Sequence, residues 1–217
     1  LIGYLPAGFP DPVRCVQLIT DMVDAGVDIV EVGLPYSDPL MDGPAIQEAV
    51  DIALREGTTP DTVLDTVAAV AASGATALVM SYWNPIERYG VERFADRLAD
   101  GGGRGVITPD LTPEEAGPWI EATTRRDLDR VFLVAPSSTE ARIATVCSVT
   151  SGFVYAASTM GVTGARSQVS SAAPGLVART KAITALPVAV GLGVSTGEQA
   201  SEVAAYADGV IVGSAFV

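Results

Sequence analysis

The chain contains no histidine. That absence removes every Ser-His or Cys-His nucleophile scheme and most transition-metal sites, so no metal centre is expected. Cysteine is nearly as scarce. Cys15 and Cys147 are far apart in sequence and fit neither a redox pair nor a zinc site, and both read as ordinary buried thiols. Positive charge is short as well: 13 Lys and Arg stand against 26 Asp and Glu, a net charge of −13. Nucleic acid, which is held by cationic side chains, is therefore not an expected partner. An anionic ligand would have to be held by local backbone dipoles against an unfavourable overall field. No apolar run is long enough to span a bilayer and no signal-peptide pattern opens the chain, so a soluble, cytoplasmic protein is expected.

What is present is an apolar, lightly charged chain, 48% hydrophobic and 18% charged over 217 residues. That composition fits a compact domain, and a domain of this size buries roughly 70% of its unfolded surface without disulfides. The pattern is strand, turn, helix, repeated. Apolar, β-branched-rich segments at 2–7, 27–34, 76–81, 105–108, 131–135, 153–157, 187–191 and 209–212 read as strands. Helices follow the first seven, with starts marked by Asp11-Pro12, Pro44, Thr59-Pro60 and Thr112-Pro113, and by capping boxes at Ser137/Glu140 and Ser195/Glu198. Continuous apolar strands fit a parallel sheet covered on both faces. Eight such units with no linker predict a single (β/α)8 TIM barrel over 1–217, with a doubly wound open sheet as the alternative. The chain starts on its first strand and stops just past its eighth, where a closing C-terminal helix should begin; against the family that the motifs below resemble, an N-terminal helix is also expected to be missing.

In such a barrel the chemistry sits where strands end. The segment 27–34 carries one residue unsuited to burial, Glu31, and the loop beyond it carries Asp38 and Asp42. A carboxyl flanked by Ile29, Val30, Val32 and Leu34 should have a raised pKa and could deliver a proton near neutral pH, whereas Asp42 should stay ionised. The plainer alternatives are a buried ion pair for Glu31, a helix N-cap for Asp42 and an Asx turn for Asp38. Asp110 reads as structural, or as a support behind the site, rather than catalytic. Gly164, Gly191-Leu192-Gly193-Val194-Ser195 and Gly213-Ser214 follow strands six, seven and eight. Glycines there let backbone N–H groups converge on a phosphate, or merely permit tight turns. Tyr4, Met80, Ile107, Phe153, Tyr155 and Leu192 are core residues unless they line an apolar cavity beside these groups.

The run Glu31-Val32-Gly33-Leu34-Pro35-Tyr36-Ser37-Asp38-Pro39, continuing to Asp42-Gly43-Pro44-Ala45-Ile46-Gln47, resembles the tryptophan synthase alpha chain family. Gly161-Val162-Thr163-Gly164, Gly191-Leu192-Gly193-Val194-Ser195 and Gly209-Val210-Ile211-Val212-Gly213-Ser214-Ala215 add to the resemblance, which extends over essentially the whole chain. It implies a (β/α)8 lyase that cleaves indole-3-glycerol phosphate to indole and glyceraldehyde 3-phosphate in tryptophan biosynthesis. By motif position, Glu31 would be the general acid–base and Asp42 would bind the indole N–H. Gly164, Gly193, Gly213 and Ser214 would hold the phosphate, and Tyr4, Met80, Ile107, Phe153, Tyr155 and Leu192 would line the indole pocket. Thr163 would close over the substrate and position Asp42. The resemblance also implies an α2β2 heterotetramer with a beta chain, docked around Asp38-Pro39 and Tyr82–Ile86. Pyridoxal phosphate is expected only in that partner, and no cofactor in this chain. Competing readings are a stand-alone indole-releasing lyase, a ligand-binding subunit that mainly activates the beta chain, and a different phosphosugar barrel isomerase.

Overall fold

The structure is a computed structural model and describes residues 1–158 and 171–217. Its strands are β1 (Ile2–Pro6), β2 (Ile29–Gly33), β3 (Thr76–Met80), β4 (Gly105–Ile107), β5 (Asp129–Val131), β6 (Leu133–Val134), β7 (Val154–Ala157), β8 (Val188–Gly191) and β9 (Gly209–Val212). All pairs are parallel, in the order β5-β4-β3-β2-β1-β9-β8-β7-β6. The two ends of that order are one continuous strand interrupted at Phe132. Its first half pairs with β4 and its second with β7, and the N–H of Tyr155 donates to the Phe132 carbonyl at 3.1 Å. The sheet therefore closes into a barrel, as the sequence predicts, with the fifth strand broken where a single 131–135 segment is expected.

Strand alternation divides the core in two. Val30, Val32, Ala77, Val79, Val106, Val154, Val188, Val190 and Val210 face outward onto the helices. Ile2, Leu78, Ile107, Val131, Phe153, Tyr155, Ala189 and Ile211 face inward and fill the barrel. Each fully buried valine contributes about 1.5–3 kcal/mol, so the outward layer fixes the helices firmly. The same period of two sends Glu31, between Val30 and Val32, to the barrel interior and not under a helix.

The helices are α1 (Pro12–Asp24), α2 (Pro44–Arg55), α3 (Pro60–Ala72), α4 (Trp83–Tyr89), α5 (Val91–Asp100), α6 (Gly117–Arg125), α7 (Glu140–Val149), α8 (Ala173–Lys181) and α9 (Gly197–Ala204). Asp11 caps α1 by accepting from Val13 and Arg14 N–H at 3.1 and 2.9 Å, and Thr59 caps α3 in a reciprocal pair with Thr62. Three predicted starts are displaced. The cap of α7 is Thr139 rather than Ser137, and the box of α9 is Thr196/Gln199 rather than Ser195/Glu198. Thr112-Pro113 opens a turn, and α6 begins only at Gly117. The short helix α4 is unforeseen; Asp110 accepts from the Trp83 N–H at 2.9 Å at its start, the structural role expected of that carboxylate. No described helix is long and apolar enough to cross a membrane.

Candidate active site at the C-terminal end of the barrel

One cleft opens at the C-terminal ends of the strands. It is lined by Tyr4, Glu31, Leu34, Asp42, Ile46, Met80, Ser81, Tyr82, Pro109, Tyr155, Leu192, Gly193, Val194, Ile211, Gly213 and Ser214. Residues from seven strands or the loops that follow them thus converge although they are far apart in sequence.

Glu31 lies at the cleft's base and is 1% exposed. Its Oε1 has no hydrogen-bond partner among the described residues. Burial therefore acts unopposed on the charged form and pushes its pKa up to about 8. The buried ion pair weighed for this residue is not what the structure shows: none of the ion pairs among the described residues involves Glu31.

Asp42 comes from the loop between β2 and α2. Burial raises its pKa, and a hydrogen bond from Tyr82 works in the opposite direction. The Tyr82 hydroxyl donates to Asp42 Oδ1 at 3.2 Å and accepts from the N–H groups of Met41 and Leu40 at 2.8 and 3.2 Å. One phenol thereby ties the loop to the end of β3 and orients the carboxylate. Asp42 is not the N-cap of α2, a position held by Gly43. In the sequence Tyr82 stands out only as the first residue of the expected docking stretch, just after the third predicted strand. Its position at a strand end beside an acidic loop is the signal that could have placed it in the cleft.

Tyr4 and Tyr155 frame Glu31. Tyr4 is the cross-strand neighbour of Glu31 and shares its face. Burial raises the Tyr4 pKa well above the usual value, and Asp42 and Glu31 add to the shift; burial and Glu31 do the same for Tyr155. Both phenols stay protonated. Each packs on a glycine of the next strand. A Cβ on Gly33 would stand 2.4 Å from the Tyr4 hydroxyl oxygen, and one on Gly191 would stand 2.1 Å from that of Tyr155. A larger residue at either position would have to displace the tyrosine ring beside it.

On the far side of the cleft, Leu192 and Gly193 have positive φ, 71° and 98°. No hydrogen bond among the described residues uses the N–H groups of Gly193, Val194, Gly213 or Ser214. A set of uncommitted N–H groups at the ends of β8 and β9 is suited to an anion.

Of the residues singled out in the sequence, Glu31, Asp42, Gly193, Gly213, Ser214, Tyr4, Met80, Tyr155 and Leu192 meet in this cleft. Ile107 does not line it and is buried within the barrel. Phe153 points to the opposite end and lines a second cavity at the N-terminal mouth. Asp38 accepts from Ser37 Oγ at 2.6 Å and takes no part in the cleft. Within the expected docking stretch Tyr82 and Ile86 are buried, whereas Leu40, beside Pro39, is 71% exposed. Thr163 and Gly164 lie outside the described residues. Among the described residues no cluster of acidic or cysteine side chains could hold a metal ion.

The family model described as Tryptophan synthase alpha chain matches residues 1–217. A tryptophan synthase alpha chain from Thermobifida fusca is 61% identical over 219 residues, covering 100% of this chain and 81% of that protein. The one from Mycobacterium marinum is 58% identical over 217 residues, again with 100% and 81% covered. Among solved structures, tryptophan synthase from Mycobacterium tuberculosis superposes with a TM-score of 0.94 at 57% identity, over 99% of this chain and 82% of that one. The Pyrococcus furiosus tryptophan synthase a2b2 complex gives 0.90 at 34% identity, over 99% and 87%. Matched over residues 1–217 by the family model and 61% identical to a relative that it covers to 81%, the chain belongs to the tryptophan synthase alpha chain family.

Proposed function

We propose that Glu31 and Asp42 carry out the carbon–carbon cleavage of indole-3-glycerol phosphate to indole and glyceraldehyde 3-phosphate, the lyase reaction of tryptophan synthase alpha chains. The observation that carries this reading is Glu31 itself: a fully buried carboxyl with an unpartnered oxygen and a pKa raised by burial, in one cleft with a second carboxyl and a row of N–H groups that no hydrogen bond among the described residues uses.

The chemistry requires a proton delivered to indole C3, a partner for the ring nitrogen as it becomes cationic, and a base for the glycerol hydroxyl. Protonated Glu31 gives its proton to C3. Asp42, held by Tyr82, accepts the ring N–H and stabilises the positive charge there. The glycerol hydroxyl next to the breaking bond then returns a proton to the Glu31 carboxylate. Its oxygen electrons form the aldehyde C=O, and the C–C bonding pair restores the aromatic ring. Protons and electrons balance, and Glu31 ends as it began. The N–H groups of Gly193, Gly213 and Ser214 hold the phosphate, which fixes the scissile bond over Glu31. Tyr4, Met80, Tyr155 and Leu192 bound the space for the indole ring.

The mechanism calls on no cofactor in this chain. The same reading places the chain in an α2β2 heterotetramer in the cytoplasm, with pyridoxal phosphate confined to the beta chain. The Pyrococcus furiosus a2b2 complex supports the assembly, and the exposed Leu40 beside Asp38-Pro39 supports a docking surface there. An assay of indole released from indole-3-glycerol phosphate, with and without beta chain, tests the reading. Indole formation that depends on Glu31 is expected, and wild-type protein that forms none in either condition would overturn it.

A further inference from the structure

Leu192 lines the cleft in a backbone conformation that a branched side chain rarely adopts, φ 71°. Something must hold it there, and one residue is placed to do so. Ser158, just past the end of β7, is wholly buried and touches both the last residue of β8 and the first residue of the loop after it. Its N–H donates to the Gly191 carbonyl at 3.0 Å, and its Oγ–H donates to the Leu192 carbonyl. Two successive carbonyls are thus pinned to one serine.

The consequence follows from peptide geometry. In a trans peptide the C=O and the N–H point in opposite directions across one rigid plane. Anchoring the Leu192 carbonyl on Ser158 turns the Gly193 N–H away from Ser158, and Gly193 borders the cleft. The loop carries left-handed φ values at both Leu192 and Gly193. Ser158 holds the peptide on each side of the Leu192 Cα, and φ and ψ of Leu192 are the torsions between those two planes; with the Leu192 carbonyl released, the following peptide is free to swing as Leu192 leaves positive φ.

We propose that Ser158 is a positioning residue for the phosphate: its hydroxyl holds the Leu192–Gly193 peptide so that the Gly193 N–H faces the substrate's phosphate. This rests on the reading of Gly193 as a phosphate donor. Being fully buried, Ser158 acts through Gly193 and does not itself meet the substrate.

The test is a double-mutant cycle on the full chain, measuring kcat and KM for indole-3-glycerol phosphate and the binding of inorganic phosphate. Ser158→Ala should raise KM and weaken phosphate binding about tenfold, with kcat changed less than about twofold, because one orienting hydrogen bond is lost and the proton chemistry is untouched. Leu192→Gly frees position 192 to adopt positive φ without strain. In that background, Ser158→Ala should cost less than about twofold. Should Ser158→Ala alone fail to fold, the Leu192→Gly background should restore folding, and failure of the double variant as well would overturn the proposal. An equal penalty in both backgrounds, or a fall in kcat with KM unchanged, would also overturn it. Wild-type protein that binds no inorganic phosphate would overturn the phosphate reading itself; wild-type binding matched by Ser158→Ala would overturn only the role of Ser158.

Discussion

The two mouths of this barrel treat carboxylates in opposite ways. At the C-terminal mouth, Glu31, Asp42 and Asp110 all have raised pKa values, with burial as the largest cause in each. At the N-terminal mouth, Asp208 is held below the usual carboxylate range. It accepts from Lys181 Nζ at 2.8 Å and from the Val188 N–H at 2.9 Å, and it stands at the edge of a second, apolar-walled cavity. The strands, the helices and the residue type are common to both ends. The difference is whether the fold gives the carboxylate a cation. At one end charge is neutralised locally and serves the structure. At the other, none of the three carboxylates has a cationic partner among the described residues, and Glu31 is also fully buried, which costs stability and creates a proton donor.

The largest effect that would break this contrast is on turnover. Glu31→Gln should lower indole formation by about two to four orders of magnitude while inorganic phosphate still binds, and Asp208→Asn should leave kcat/KM within about twofold. Equal losses from the two substitutions, measured by steady-state kinetics, would erase the distinction. Next, Asp42→Asn should cost about a hundredfold in kcat, the scale of losing one electrostatic partner of a developing charge, and Tyr82→Phe about fivefold, the scale of one hydrogen bond.

Stability against pH sharpens the comparison. Glu31 has a folded pKa of about 8 against an ordinary value of 4.5. A raised folded pKa means that its favourable contribution is complete below the unfolded value and is lost as pH rises towards 8. At 1.36 kcal/mol per pH unit, the loss approaches about 5 kcal/mol as an upper figure. Glu31→Gln should therefore be more stable than the wild type at pH 8–9, by up to that amount, and the difference should vanish near pH 4–5 in urea titrations. Asp208 has the opposite sign. Its folded pKa is lowered, so its contribution is present above the unfolded value and is lost as pH falls through the folded one. Lys181→Ala should remove that contribution, about 0.2–1 kcal/mol and less at high salt, because the pair is exposed to solvent.

Much of this was legible in the sequence because the barrel repeats one signal. Apolar strands with period-two partition, and Asp11-Pro12 or Thr59-Pro60 before amphipathic runs, are local features with local causes. Glu31 stood out for the same reason, a charge among Ile29, Val30, Val32 and Leu34. What was not legible depends on contacts between distant segments. Ser137 and Thr139 are both competent caps, as are Ser195 and Thr196, and the choice is made by how each helix docks on the barrel. The break at Phe132 arises where the fifth strand passes from pairing with β4 to pairing with β7. Helix α4 was hidden because Tyr82-Trp83-Asn84-Pro85 has loop-like chemistry until Asp110 accepts from the Trp83 N–H. Phe153 and Tyr155 are two residues apart and share the inward face, yet they reach opposite cavities, because Phe153 enters β7 at one mouth and Tyr155 leaves it toward the other.

Everything at the C-terminal mouth depends on Glu31 being held protonated at neutral pH by its burial. Carbon-13 NMR of glutamate-labelled protein, with Glu31→Gln to assign the resonance, measures this directly. One carboxyl, absent from the variant, should titrate near pH 8. A Glu31 midpoint near the ordinary 4.5 would contradict it.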